Sequence, residues 1–161
     1  MTTLSAVKIW QFLEEIKDPE IPVVSVVEMG IIRQVEVDER FVRVTMTPTF
    51  SGCPALQEMQ SQIHQMLIQA GAERVEIKIS LSPAWSSDWI TPAARKKLKN
   101  FGLAPPPLHG GNFEITLLDI VSCPYCASTD TSLKNSFGAT LCRAIFYCNH
   151  CQQPFEQFKP L

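Results

Sequence analysis

Along the first third of the chain the apolar positions change period twice. Leu4, Val7, Trp10, Leu13 and Ile16 recur every three residues, flanked by Ile9 and Phe12, which predicts an amphipathic helix over 4–17. Asp18-Pro19 stops it, because the residue before a proline is pushed out of the helical region. Residues 21–29 carry no strong period and are expected as an extended loop or a short helical turn. Residues 32–37 and 40–47 read as two strands. Val42, Val44 and Met46 alternate with polar neighbours, and Asp38-Glu39 supplies a short hairpin turn.

Residues 48–54 form a loop by composition, after which Leu56, Met59, Ile63, Met66, Leu67 and Ala70 restore a helical period. Pro54 suits the first turn of that helix and Gly71 its C-terminal cap. Val75, Ile77, Ile79 and Leu81 alternate strictly, so 74–82 is expected as a strand. A helix between two strands implies a right-handed parallel crossover. Thr91-Pro92 opens a further short helix that Gly102 closes. The pattern therefore predicts an α+β first domain over 1–104, a small mixed sheet with helices packed on it.

Three consecutive prolines and two glycines mark 105–111 as a linker. The remaining 112–161 is too short to hold a large core, and a module of that size needs a staple. Thr131 to Phe137 and Ala144 to Tyr147 read as strands around Gly138, and residues 155–158 add a third.

The cysteines supply the staple. Of six, only Cys53 precedes residue 123, whereas Cys123, Cys126, Cys142, Cys148 and Cys151 crowd the C-terminal part. Cys123-Pro124-Tyr125-Cys126 and Cys148-Asn149-His150-Cys151 are two CxxC pairs. Each tight turn aims two thiolates at one ion, and two turns complete a tetrahedral four-sulfur site, the layout of a small β-rich zinc ribbon. Four thiolates also suit a mononuclear iron. Rubredoxin-like knuckles usually place glycine after the second cysteine, where Ala127 and Gln152 stand here. Disulfides are the third reading, in an oxidising compartment. The first 16 residues lack the pattern of a secretory signal, so a cytoplasmic location is expected. Cys142 reads as packing and His150 as a solvated knuckle residue.

Charge narrows the partners. The 161 residues carry a formal net charge of −2. From residue 112 onward Lys134, Arg143 and Lys159 face Glu114, Asp119, Asp130 and Glu156, and a zinc-loaded four-thiolate site adds further negative charge. Phosphate neutralisation needs clustered cations, so nucleic acid is disfavoured and protein docking fits better. No apolar run is long enough to span a bilayer, and no membrane role is expected.

Cys53 sits at the expected N-cap of the helix that begins with Pro54, where free N–H groups and the positive dipole end favour a thiolate. A buried inert cysteine is the alternative. Asp18 and Glu20 flank Pro19 as capping or solvated carboxylates. Arg95, Lys96, Lys97 and Lys99 read as a solvated face near a helix C-terminus. Trp85 and Trp89 are either core anchors or an exposed binding patch. His64, His109 and His150 are scattered, and no nucleophile, phosphate-loop or metalloprotease motif supports autonomous catalysis.

Several strings together resemble a known family. Asp18-Pro19-Glu20-Ile21-Pro22, Glu28-Met29-Gly30-Ile31-Ile32-Arg33 and Thr47-Pro48-Thr49-Phe50-Ser51-Gly52-Cys53-Pro54 resemble the small domain of iron–sulfur assembly factors related to SufT. Pro83-Ala84-Trp85-Ser86-Ser87-Asp88-Trp89-Ile90 and the ribbon tail, with Ser136-Phe137-Gly138 and Pro154-Phe155-Glu156-Gln157-Phe158, narrow the resemblance to the PaaD (or PaaJ) family of bacterial phenylacetate degradation. It covers nearly the whole chain. The sequence departs from the family at Phe50, where tyrosine is common, and at Ser86-Ser87, where paired threonines are.

The resemblance implies an accessory subunit of the multicomponent phenylacetyl-CoA epoxidase, which works with a di-iron subunit and an iron–sulfur flavin reductase as partners. The implied role is helping to install or repair an iron–sulfur or iron centre. Cys53 matches the family's prominent cysteine and becomes the candidate for transient iron or cluster handling, with Asp18 and Glu20 shaping that site. Cys123, Cys126, Cys148 and Cys151 would hold structural Zn²⁺. A non-catalytic scaffold subunit and an electron carrier using a four-cysteine iron site remain as alternatives.

Overall fold

The computed structural model describes residues 4–111 and 120–161. The first residues expected for the ribbon, 112–119, with Glu114 and Asp119, lie outside them. The chain forms two compact units, Met1–Trp85 and Ser86–Leu161.

In the first unit, helix α1 (Ala6–Glu15) starts where Ser5 Oγ accepts the Lys8 N–H at 3.4 Å. It stops at Ile16 rather than Lys17, since the Ile16 carbonyl is taken by the Val26 N–H. Strand β1 (Lys17–Asp18) pairs antiparallel with β2 (Ile21–Ser25). The segment expected as a loop or helical turn is thus partly a strand. Its burial has no clean two-residue alternation, because Ile21, Val24 and Ser25 are all buried, and this hides it from the sequence pattern. A reciprocal cap follows: the Ser25 N–H donates to Glu28 Oε2 (2.9 Å) and the Glu28 N–H to Ser25 Oγ (3.0 Å).

Strands β3 (Ile32–Asp38), β4 (Phe41–Met46) and β5 (Arg74–Ile79) form a sheet in the order β3-β4-β5. Asp38 pairs with Phe41, so the hairpin turn is Glu39-Arg40, one residue beyond its expected place, with Glu39 left-handed at φ 50°. Helix α2 (Leu56–Gln69) connects β4 to β5, and these strands run parallel, as a crossover requires. Val42, Val44 and Met46 of β4 are fully buried, as are Ile9 and Leu13 of α1 and Ile63 and Leu67 of α2, while α1 lies against β3 and α2 against β5. The other face is polar. There Arg43 bridges Glu36 (2.9 Å) and Glu76 (3.2 Å) across three strands, and these carboxylates hold its guanidinium above its usual value.

Trp85 is buried and its indole N–H donates to the Met29 carbonyl at 3.0 Å, so it is a core anchor of this unit. Trp89 is half-buried and belongs to the second unit.

The second unit opens with a 3₁₀ turn at Ser87–Trp89, then α3 (Pro92–Asn100), capped by Thr91 Oγ1 on the Ala94 N–H at 3.2 Å. Arg95 is no solvated residue of this helix. Its guanidinium donates to the carbonyls of Ile90, Ser87 and Pro106, and burial lowers its pKa. Lys96, Lys97 and Lys99 are exposed as expected. A four-stranded sheet follows in the order β6-β9-β8-β7, from β6 (Leu103–Ala104), β7 (Thr131–Asn135), β8 (Arg143–Cys148) and β9 (Pro154–Phe158). Strand β6 runs parallel to β9, which places α3 and the start of the proline-rich stretch in the same compact unit as the ribbon. One core cluster of this unit is Ala104, Val121, Cys123, Cys148 and Phe155, with Phe146 stacked on Phe155 at 5.7 Å.

Candidate metal centre

Each CxxC pair lies in a turn closed by the same two backbone bonds. The Ala127 N–H donates to the Cys123 carbonyl (2.9 Å) and the Cys123 N–H to Ser128 O (2.9 Å). In the second turn the Gln152 N–H donates to Cys148 O (2.9 Å) and the Cys148 N–H to Gln153 O (3.0 Å). Both turns need a left-handed residue after the second cysteine, and Ala127 (φ 61°) and Gln152 (φ 59°) adopt it. The departure from glycine noted in the sequence therefore leaves the knuckle geometry intact.

The turns bring the four sulfurs together, all within 4.8 Å of one another. Cys123 Sγ lies 3.7 Å from Cys151 Sγ, and Cys126 Sγ 3.6 Å from Cys148 Sγ. Tetrahedral zinc with bonds of about 2.3 Å has a sulfur–sulfur edge of about 3.8 Å, so the donor set fits such an ion. The separations far exceed the roughly 2.05 Å of a disulfide. Among the described residues this is the one group of three or more potential metal ligands.

Electrostatics show what a cation would offset. The Cys151 and His150 backbone N–H groups draw Cys148 down to about 7, while burial pushes Cys151 up to about 12. Four thiolates so close together need a positive charge among them.

Cys53 is half-buried, and its placement differs from the sequence expectation. Helix α2 begins at Leu56 with Ala55 as its N-cap, so Cys53 lies two residues ahead of the cap. Its carbonyl accepts the Leu56 N–H at 3.2 Å, a tight turn that Pro54 favours and that delays the helix. Asp18 is buried, and its Oδ1 accepts the N–H groups of Glu20 (2.8 Å) and Ile21 (3.2 Å), closing the β1–β2 turn. Glu20 is half-buried. The three do not form a ligand group of the kind the ribbon cysteines form.

Cys142 is buried, its sulfur 3.0 Å from Thr140 Oγ1, and His150 is exposed. The structure also gathers residues that sequence distance conceals. His109, its side chain buried, stands 3.6 Å from Asp88 Oδ2 through Nδ1 and 3.2 Å from Ser86 Oγ through Nε2. The order suggests a catalytic triad, but the Gly111 N–H donates to Nδ1 at 3.0 Å. In the neutral ring the proton therefore resides on Nε2, directed at the Leu161 carbonyl (3.0 Å) and Ser86. An Nε2 that carries the proton cannot accept one from a serine, so the cluster is a clasp and not a nucleophile. The neighbouring Gly110-Gly111 was its one sequence signal.

With this geometry in place, comparison with known proteins is decisive. A protein of Escherichia coli (strain K12), provisionally named as a 1,2-phenylacetyl-CoA epoxidase component, is 39% identical over 153 residues, covering 94% of this chain and 91% of its own. The chain belongs to the PaaD family. Its residues 113–159 match the family described as the PaaD zinc beta ribbon domain, and residues 7–81 the one described as iron-sulfur cluster assembly protein. An Fe-S protein maturation auxiliary factor of Porphyromonas gingivalis (strain ATCC BAA-308 / W83) is 34% identical over 90 residues, covering 55% of this PaaD-family chain and 85% of its own. The crystal structure of a domain of unknown function, DUF59, from Bacillus anthracis matches with a TM-score of 0.54 and 28% identity, over 57% of this chain and 89% of that one. A conserved hypothetical protein of Thermotoga maritima shares the fold, with a TM-score of 0.53 and 24% identity over 61% of this chain and 98% of its own. No described helix is long and apolar enough to cross a membrane.

Proposed function

We infer that this chain is an accessory subunit of a phenylacetyl-CoA epoxidase system and assists assembly of an iron–sulfur or iron centre in a partner subunit. The observation that carries this is the reach of the similarity. Likeness to the epoxidase component runs over 94% of the chain, whereas likeness to the maturation factor covers 55%. An assembly-type domain is thus joined to a ribbon within one epoxidase-related chain.

In this reading Cys53 is the residue that meets iron or a cluster in transit. It is half-buried in the turn ahead of α2, so its sulfur need not be dug out of the core to react. Asp18 sets the β1–β2 turn through its two backbone bonds, and in this reading its role is positioning. Zn²⁺ in the ribbon, held by Cys123, Cys126, Cys148 and Cys151, is structural and supplies folding energy to a small module. The work is expected in the cytoplasm, where the thiols stay reduced.

The test is Cys53→Ala in cells expressing the whole epoxidase system. The expected outcome is reduced cluster content of the reductase or reduced iron in the di-iron subunit, with this chain still soluble and zinc-loaded. Wild-type metal content in both partners would sink the cysteine's role. It would favour the second reading, a non-catalytic scaffold, which the absence of a ligand group around Cys53 among the described residues also supports.

A further inference from the structure

We propose that the open edge of β5 docks a second copy of this chain, the two β5 strands pairing antiparallel about Ile77 so that their sheets join into one. The proposal stands apart from the accessory-subunit reading, since it uses only the strand, its neighbours and their charges.

Strand β5 ends its sheet, and among the described residues it pairs with β4 alone. The ladder shows which backbone groups are left over. The Ser80 N–H donates to the Met46 carbonyl at 2.8 Å, so Ser80, Lys78 and Glu76 turn their N–H and C=O groups toward β4. Alternation turns those of Val75, Ile77 and Ile79 outward. Such a row of outward groups is a template for another strand. At the opposite edge β3 is a poorer template, because its register shifts between Ile32 and Gln34, and a bulge interrupts regular pairing.

The side chains show the same incompleteness. Val42, Val44 and Met46 of β4 stand opposite Val75, Ile77 and Ile79 of β5. The β4 residues are fully buried, whereas the three β5 residues are only half-buried. The apolar face is closed over β4 and left open at β5, and a further strand beside β5 would continue it.

Charge decides which strand that is. Antiparallel pairing sets outward residues opposite outward residues, which leaves two registers that use most of β5 against its own copy. Centred on Glu76, the pairing puts Glu76 opposite Glu76 and Arg74 opposite Lys78, so every charged pair is repulsive. Centred on Ile77, it puts Glu76 opposite Lys78 twice by symmetry, with Val75 opposite Ile79 and Ile77 opposite itself. The strand is its own complement in that register.

The polar face supplies the same answer from the side of the ion pairs. Glu36 and Glu76 share the single guanidinium of Arg43, so two carboxylates stand on one cation. Lys78 is exposed and forms no ion pair among the described residues. Lysine on an edge ordinarily deters pairing. Here Lys78 deters the register centred on Glu76 and, in the one centred on Ile77, brings the second cation that the carboxylates lack.

The experiment sediments the full zinc-loaded chain, its thiols kept reduced, from about 5 μM to about 500 μM, a range suited to a small interface. Amide exchange is read at both ends of that range. The expected result is a reversible dimer in which exchange at Val75, Ile77 and Ile79 slows as concentration rises. Lys78→Glu sets carboxylate against carboxylate and is expected to weaken the dimer about tenfold or more. Glu76→Lys should do the same, and if loss of an Arg43 partner impairs its folding, Lys78→Glu carries the test alone. Mixing the two single variants should restore a dimer with one of each, because every cross-strand charge pair is then attractive. Val7→Lys, at an exposed position of α1, should dimerise as wild type. A chain that stays monomeric at the highest concentration overturns the proposal. A dimer that Lys78→Glu strengthens has the register centred on Glu76, and one that it leaves unchanged uses another face; either result overturns it. Protection of β5 that appears only when the reductase or di-iron subunit is added gives the edge to a different protein and overturns the second copy.

Discussion

At the scale of single residues, the knuckles carry a measurable strain. Ala127 and Gln152 hold the left-handed conformation that their turns require, and for an L-residue this costs about 1–2 kcal/mol. Replacing Ala127 by glycine removes the clash but adds freedom to the unfolded chain, so the two effects partly cancel. Ala127→Gly is expected to raise the stability of the metal-loaded second unit by about 0.5–1 kcal/mol in urea unfolding. A loss of similar size would show that the turn is unstrained. This level was only partly legible beforehand. The CxxC spacing revealed the four ligands, because sulfur count and turn length are local properties. The His109–Asp88 clasp left no signal beyond Gly110-Gly111, since its members are 21 residues apart and Asp88 acts through backbone groups of the loop that follows the prolines.

At the scale of elements, the helices differ in what holds them. Ile63 of α2 is fully buried, so Ile63→Ala removes core volume that the surroundings cannot wholly refill. The expected cost is about 3 kcal/mol, read as lost hydrogen-exchange protection in β3, β4 and β5. Thr91→Ala removes one cap from α3 and is expected to cost about 1 kcal/mol, confined to exchange in the second unit. Strands with alternating burial, β4 above all, were legible because one face meets the core. The β1–β2 pair was not, because a two-residue strand has no period to read and β2 buries adjacent residues. The start of α2 slipped for a different reason. Pro54 is compatible with a first helical turn, but the Cys53–Leu56 bond uses it in a tight turn instead.

At the scale of the whole molecule, the two units rest on different physics. The first has a core that includes Ile9, Leu13, Val44, Ile63 and Leu67, all fully buried, whereas one core cluster of the ribbon is built around the thiols of Cys123 and Cys148. Removing the metal with a strong chelator is therefore expected to abolish exchange protection in β7, β8 and β9. The helical signal of α1 and α2 should survive. Simultaneous loss of both would show that the first unit depends on the metal.

Strand β6 bears on how such a protein can be cut and joined. It contributes Leu103 and Ala104, residues that precede the prolines, to the edge of a sheet whose other strands follow them. A fragment begun at residue 112, where composition invites the scissors, leaves β9 paired with β8 alone and the ribbon cluster without Ala104. A fragment begun at Ser86 retains α3, β6 and the Asp88–His109 clasp together. In gene fusion, isotope-labelled fragments or exchange of ribbons between relatives, the transferable piece starts at Ser86, and the prolines travel inside it.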